Sequence, residues 1–198
     1  MSIWKPAQIN SEVLILMAIK HESQGLFEKA GFQVHYTGIG KINATHKATE
    51  LALLKKPKYF VNLGTAGSHK FKMHELIECS GFVDRDVDMS LAGFQRGVFP
   101  GQKAALASAS KITDFPSGIC GSGDHLEIGV PKMECDLMDM EAYAIASVAE
   151  KYKIQYISIK YISDSSDENL KKDWQANLKT AAESLLKGFL KSISNIQE

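Results

Sequence analysis

Four stretches of the sequence carry groups suited to chemistry on a small molecule, and each stands where a strand should end. They are Glu22, Gly64-Thr-Ala-Gly67, Met140-Glu141 and Asp164. Three of them supply carboxyl groups, which hold hydroxyls and exchange protons with a bound molecule. In an open α/β sheet, ligands bind just beyond the carboxyl ends of the strands. The sharpest case runs from Tyr156 to Asp167. A β-branched and aromatic run reads as a buried strand, then breaks into Ser163-Asp164-Ser165-Ser166-Asp167, which is loop chemistry. The same residues have plainer uses. Asp164 can cap a turn, Glu22 and Glu141 can sit in first helical turns as partners of the dipole, and Gly64 to Gly67 can be a simple strand-to-helix turn.

The elements that must position these groups follow from the pattern of apolar residues. Val13 to Ile19 is a continuous apolar run, as suits a parallel strand covered on both faces. Glu22 to Ala30 can form a short helix, and Phe32 to Thr37 a second strand. After the turn Gly38-Ile-Gly40, a helix is expected over Lys41 to Lys55, with Ile42, Thr45, Thr49 and Ala52 at helical spacing. Tyr59 to Leu63 reads as a third strand running into Gly64-Thr-Ala-Gly67. Further strands are expected at Glu75 to Val83, Ala104 to Ala109 and Ser117 to Cys120. Between the first two lies the charged, glycine-bearing segment from Asp84 to Pro100, a length more often functional than accidental. Asp139 is a good N-cap for a helix from Met140 to Tyr152. Trp174, Leu178, Ala182, Leu185 and Phe189 mark a closing amphipathic helix. The alternation implies a mostly parallel mixed sheet between helices, a three-layer α/β/α fold in a single domain over residues 1–198.

Composition bounds the partners. At 198 residues with 44% hydrophobic content, the chain can bury one good core. Lys+Arg and Asp+Glu balance at 23 each, which leaves no electrostatic footprint for nucleic acid or an anionic membrane. Val13 to Ile19 follows Glu12 without a basic flank, so it is not read as a signal peptide, and it is too short to span a bilayer. Cys79, Cys120 and Cys135 have no metal spacing, and unpaired thiols in a reducing cytoplasm are the expectation. His21, His46, His69, His74 and His125 likewise show no metal-ligand spacing and are read as surface or loop residues.

Six pieces, in order along nearly the whole chain, resemble the nucleoside phosphorylase and nucleosidase superfamily, and within it the 5′-methylthioadenosine/S-adenosylhomocysteine nucleosidases. They are Ala18-Ile-Lys-His-Glu22, Gly38-Ile-Gly-Lys41, Asn62-Leu-Gly-Thr-Ala-Gly67, Ser122-Gly-Asp124, Asp139-Met-Glu-Ala-Tyr-Ala-Ile-Ala146 and Ile162-Ser-Asp-Ser-Ser-Asp167. The resemblance implies hydrolysis of a purine nucleoside in purine metabolism and methionine salvage, without metal or organic cofactor. Cleaving an N-glycosidic bond expels a poor anionic purine and leaves an oxocarbenium-like sugar. It therefore needs an acid for the purine and a base for the attacking water, and two carboxyl groups flanking the sugar are a known solution.

By that resemblance Asp164 delivers a proton to purine N7 and Ser163 orients it. Glu22 activates the water. Glu141 accepts hydrogen bonds from the ribose hydroxyls, and Met140 packs against the sugar. Thr65, Ala66 and Gly67 line the pocket. Trp174 stands where the resemblance places an aromatic near the purine, or else opens the last helix as a core residue. Lys160 supports the neighbouring carboxylates. Asp86 and Asp88 match a motif before the substrate loop, which is expected to reach the pocket of a partner in a homodimer.

Phosphorylases of the superfamily hold phosphate with glycine and arginine after the first strand, as suits an oxyanion. Here that loop is Ala18-Ile-Lys-His-Glu-Ser23, and a carboxylate there repels phosphate, which favours water. Lys20 and His21 are the cations that could still serve an anion. Where relatives offer an aromatic after Ser122-Gly-Asp124, this chain has His125, Leu126 and Glu127, and Glu127 is taken as a contact for a more polar substrate. The alternatives are a phosphate-dependent phosphorylase, a nucleosidase for another purine nucleoside or nucleotide, and a non-catalytic nucleoside-binding module.

Overall fold

The computed structural model describes residues 11–101, 103, 105–109 and 111–196. Its elements are β1 (Val13–Met17), α1 (Lys20–Ser23), α2 (Leu26–Lys29), β2 (Val34–Tyr36), α3 (Lys41–Lys55), β3 (Tyr59–Gly67), β4 (Leu76–Asp84), β5 (Leu106–Ala107), β6 (Ser117–Ser122), β7 (Leu137–Asp139), α4 (Ala142–Tyr152), β8 (Gln155–Asp164) and α5 (Leu170–Ser192). The eight strands form one mixed sheet, ordered β2-β1-β3-β7-β6-β4-β5, with β8 paired to both β3 and β4. Strands β3, β7, β6, β4 and β8 thus form a closed ring of pairings. Most pairs are parallel, while β3–β7, β4–β5 and β4–β8 are antiparallel.

Alternation along β1 shows how the apolar runs divide between two layers. Leu14 and Leu16 join Ala44, Ala48, Leu51 and Ile145 under α3 and α4. Val13, Ile15 and Met17 join Ile157, Ile159, Leu185 and Phe189 under α5. A strand covered on both faces needs apolar residues at every position, which is why period-two patterning is absent. The three-layer α/β reading therefore holds. All three cysteines are buried and free. Among the described residues no helix is long and apolar enough to cross a membrane.

Several local expectations are corrected. The helix expected over Glu22 to Ala30 is two four-residue helices, broken where Gln24 and Gly25 take left-handed φ angles of 49° and 68°. Strand β3 does not turn at Gly64; it stays paired with β8 through Gly67. Helix α3 has the expected bounds but buries Ala44, Ala48, Leu51 and Ala52, while Ile42 is 70% exposed. The strand expected over Ala104 to Ala109 is reduced to Leu106–Ala107, and Ala104 lies outside the described residues. Met140 and Glu141 precede α4, which starts at Ala142, and Leu137–Asp139 adds a strand that the pattern did not suggest. Asp139 still accepts the Ala142 N–H at 2.9 Å, but it does so from the end of β7.

Candidate active site

Glu22 reaches the site because α1 begins directly beyond β1. Its carboxylate is 5% exposed. Oε1 accepts the Thr65 N–H at 2.8 Å and the Thr65 hydroxyl at 2.9 Å, and Oε2 accepts the Ala18 N–H at 3.2 Å. Trp174 donates its indole N–H to Thr65 Oγ1 at 3.0 Å, so α5 is tied to the same cluster. A Cβ at Gly64 would stand 3.1 Å from Glu22 Oε1 and 3.5 Å from Lys160 Nζ, which keeps that position small.

Asp164 is placed by an irregularity in β8. Ala66 pairs with Ile162 but Gly67 pairs with Asp164, so Ser163 is an extra residue at the strand end. Such a bulge re-aims the side chain beside it. Ser163 Oγ donates to Asp164 Oδ2 at 2.8 Å, and the Ser166 N–H donates to Oδ1 at 3.0 Å. Burial pushes the Asp164 carboxyl up from its ordinary range, against the opposing pull of these two donors. Gly67 has no room for a side chain: a Cβ would lie 2.6 Å from both Asp164 Oδ1 and Ser166 Oγ.

Glu141 and Asp139 approach from β7 and the turn into α4. Lys160 Nζ lies 2.8 Å from Asp139 Oδ2, with side chains 3% and 2% exposed. Asp139 also accepts the Ser122 hydroxyl at 2.5 Å. Burial alone would raise the Asp139 carboxyl, yet the Lys160 charge holds it below its ordinary range. Burial would likewise lower the Lys160 ammonium, but Asp139 more than reverses this and holds it above its usual value. Glu141 has no such cation of its own. It accepts the Gly40 N–H at 2.8 Å, and burial followed by the Asp139 charge pushes it up to about 8. Gly40 has φ of 90°, and a Cβ there would stand 3.0 Å from Asp124 Oδ1.

These groups share one cavity of about 460 Å³. Glu22, Thr65, Ala66, Gly67, Met140, Glu141, Ser163, Asp164 and Trp174 all line it, so nearly every residue singled out in the sequence is brought together. Glu127 is not. The Arg85 guanidinium holds Glu127 Oε2 at 3.2 Å, and its other Nη donates to the His125 carbonyl. His125 lies 2.9 Å from both Asp86 and Glu127. This network pulls the two polar side chains together, and Leu126 between them faces the cavity instead. Lys20 and His21 are exposed and do not line the cavity. Ile19, Ile39, Leu170 and Lys171 also contribute to the wall without having been foreseen. Asp86 accepts Lys41 Nζ at 2.9 Å, whereas Asp88 pairs with Arg96 at 2.5 Å away from the cavity.

Chemically, the cavity presents carboxyl groups in different states. Asp139 is locked as a carboxylate by Lys160, while Glu141 and Asp164 are shifted towards keeping a proton. Environments that separate carboxyl pKa values are how acid and base roles are divided in one site.

Comparison with known proteins bears on the family and the fold. Residues 119–193 match the Phosphorylase superfamily. The 5′-methylthioadenosine/S-adenosylhomocysteine nucleosidase of Buchnera aphidicola from Acyrthosiphon pisum (strain Tuc7) is 31% identical, over 79% of this chain and 77% of its own. Its counterpart in Buchnera aphidicola from Schizaphis graminum is 28% identical, over 86% and 83%. Among solved structures, the nucleosidase of that name from Helicobacter pylori with butyl-thio-DADMe-Immucillin-A superposes with a TM-score of 0.87. It is 20% identical, over 94% of this chain and 99% of that one.

Proposed function

Since the chain belongs to the 5′-methylthioadenosine/S-adenosylhomocysteine nucleosidase family, we propose that it hydrolyses the N-glycosidic bond of those adenine nucleosides, releasing adenine and a ribose derivative. The observation that carries the reading is the meeting of Glu22, Glu141 and Asp164, each 5–7% exposed, on one cavity. Asp164, whose carboxyl burial pushes up from its ordinary range, protonates purine N7 as the bond breaks, and the Ser163 hydroxyl fixes its orientation. Glu22, held by Thr65 and Ala18, takes the proton of the attacking water. Glu141 holds the ribose hydroxyls, with Met140 against the sugar and Thr65, Ala66, Gly67 and Trp174 as the surrounding wall. Fixing both reactants in this way supplies much of the rate.

Water rather than phosphate is the nucleophile. Among the described residues no arginine lines the cavity, and a buried carboxylate at Glu22 repels an oxyanion. We further propose a single domain acting as a homodimer in the cytoplasm. The 84–100 segment leaves Leu91 fully exposed and Phe94 and Phe99 more than 40% exposed, as suits a loop that covers a partner's pocket. Three buried free thiols suit a reducing compartment. The test is adenine release from 5′-methylthioadenosine in phosphate-free buffer. Turnover without phosphate supports hydrolysis; turnover that begins only when phosphate is added makes the protein a phosphorylase.

A further inference from the structure

Among the described residues that line the cavity, Lys171 is the only cation. It stands in the first turn of α5, exposed to solvent. Other lysines near the fold's polar clusters are committed to partners: Lys41 to Asp84 and Asp86, Lys70 to Asp136, Lys160 to Asp139. No hydrogen bond or ion pair ties the Lys171 side chain to the other described residues. The cavity is therefore polarised. Its carboxyl groups, on Glu22, Asp139, Glu141 and Asp164, are all less than 10% exposed, whereas Lys171 lies at the open rim. The wall near the rim is apolar and solvent-facing, with Ile39 51% and Leu126 67% exposed.

A nucleoside whose base and ribose occupy the buried carboxyl groups has one part left to reach the rim, its 5′ substituent. We propose that Lys171 is a specificity-determining residue that favours adenine nucleosides whose 5′ substituent is an apolar stem ending in a carboxylate. This rests on the nucleosidase reading of the same cavity. S-adenosylhomocysteine has that form, with a thioether stem and a terminal amino acid; 5′-methylthioadenosine ends in a methyl group and gives the lysine nothing to hold. A flexible ammonium on a four-carbon stem suits a mobile, solvated carboxylate better than a rigid guanidinium would.

The experiment compares adenine release from S-adenosylhomocysteine, from its decarboxylated analogue and from 5′-methylthioadenosine, in the parent and in Lys171→Ala and Lys171→Glu. An exposed ion pair is worth up to about fivefold in affinity. The expected result is a fall of about three- to fivefold in the kcat/KM ratio of S-adenosylhomocysteine to the decarboxylated analogue in Lys171→Ala, and a larger fall in Lys171→Glu. In the parent the same ratio declines as salt is added, and in Lys171→Ala it does not. A loss of packing alone would move all three substrates together and leave the ratio in place. An unchanged ratio in both variants, with adenine still released, overturns this assignment and leaves the nucleosidase reading standing. Release from none of the three substrates overturns both.

Discussion

Lys160→Met tests whether the buried ion pair organises the carboxyl groups of the cavity. Lys160 and Asp139 meet at 2.8 Å with almost no exposure, so the variant leaves Asp139 buried opposite an apolar side chain. At an effective dielectric of about 20 the lost attraction is about 6 kcal/mol. Relief of the lysine's desolvation offsets part of it, and removing one partner of a buried pair costs about 3–5 kcal/mol. For a chain of this size that lowers Tm by about 6–20 °C. The hydrogen bonds from Ser122 and the Ala142 N–H remain for Asp139, which puts the expectation at the lower end of that range. Asp139→Asn/Lys160→Met removes both charges and should cost clearly less than the sum of the two single variants. Because Asp139 is held below its ordinary range, the stability it contributes is present above the usual carboxylate pKa and is lost as pH falls through the depressed one. Lys160→Met should flatten that acid limb. Urea unfolding across acid to neutral pH, with m compared between variants, reads all of this. A single-variant cost below about 1 kcal/mol, or strictly additive costs in the cycle, would refute the reasoning.

Gly67→Ala puts a Cβ 2.6 Å from Asp164 Oδ1 and Ser166 Oγ, so the carboxyl must move. A displacement of this kind is expected to lower kcat by about 100-fold, and steady-state kinetics showing a parent-like kcat would count against a fixed position for Asp164. Glu141→Gln should change how stability depends on pH. Glu141 titrates at about 8, above its unfolded value, so its favourable contribution is complete below the unfolded pKa and lost as pH rises towards 8. Melting curves between about pH 5 and about pH 9 should therefore decline more steeply for the parent than for the variant, and parallel curves would contradict the shift. Arg85→Met should release Glu127 and His125 and loosen the Leu126 wall, raising KM more than it lowers kcat. An equal fall in kcat and kcat/KM would instead point to a role in the transition state.

The layers of the fold were legible because strands buried on both faces leave long apolar runs, as in β1 and β8. Helix α3 kept its bounds but not its face. Ile42 is the more apolar side chain, yet close approach to α4 selects the small Ala44 and Ala48. Strand β7 escaped notice because three residues carry no periodicity, and its pairing with β3 and β6 is decided by residues far away in sequence. The carboxyl groups of the cavity could be read from strand ends and motif order. The state of each could not, since Lys160 and Asp139 are separated by twenty-odd positions and their pairing is a matter of packing. Glu127 stands apart from the cavity wall for a related reason. Its partner Arg85 lies 42 positions earlier, and a loop charge with a hidden guanidinium opposite it looks in sequence like a free ligand contact. Lys171 likewise reads as an ordinary helix-surface lysine until α5 is set against the cavity.

The most direct test compares adenine release from 5′-methylthioadenosine, in phosphate-free buffer, by the parent, Asp164→Asn and Glu22→Gln, with nucleoside binding measured calorimetrically for all three. The account predicts turnover by the parent and a loss of about 100-fold or more in each variant, with binding retained. Undiminished turnover in either variant would contradict the acid and base roles given to these two carboxyl groups.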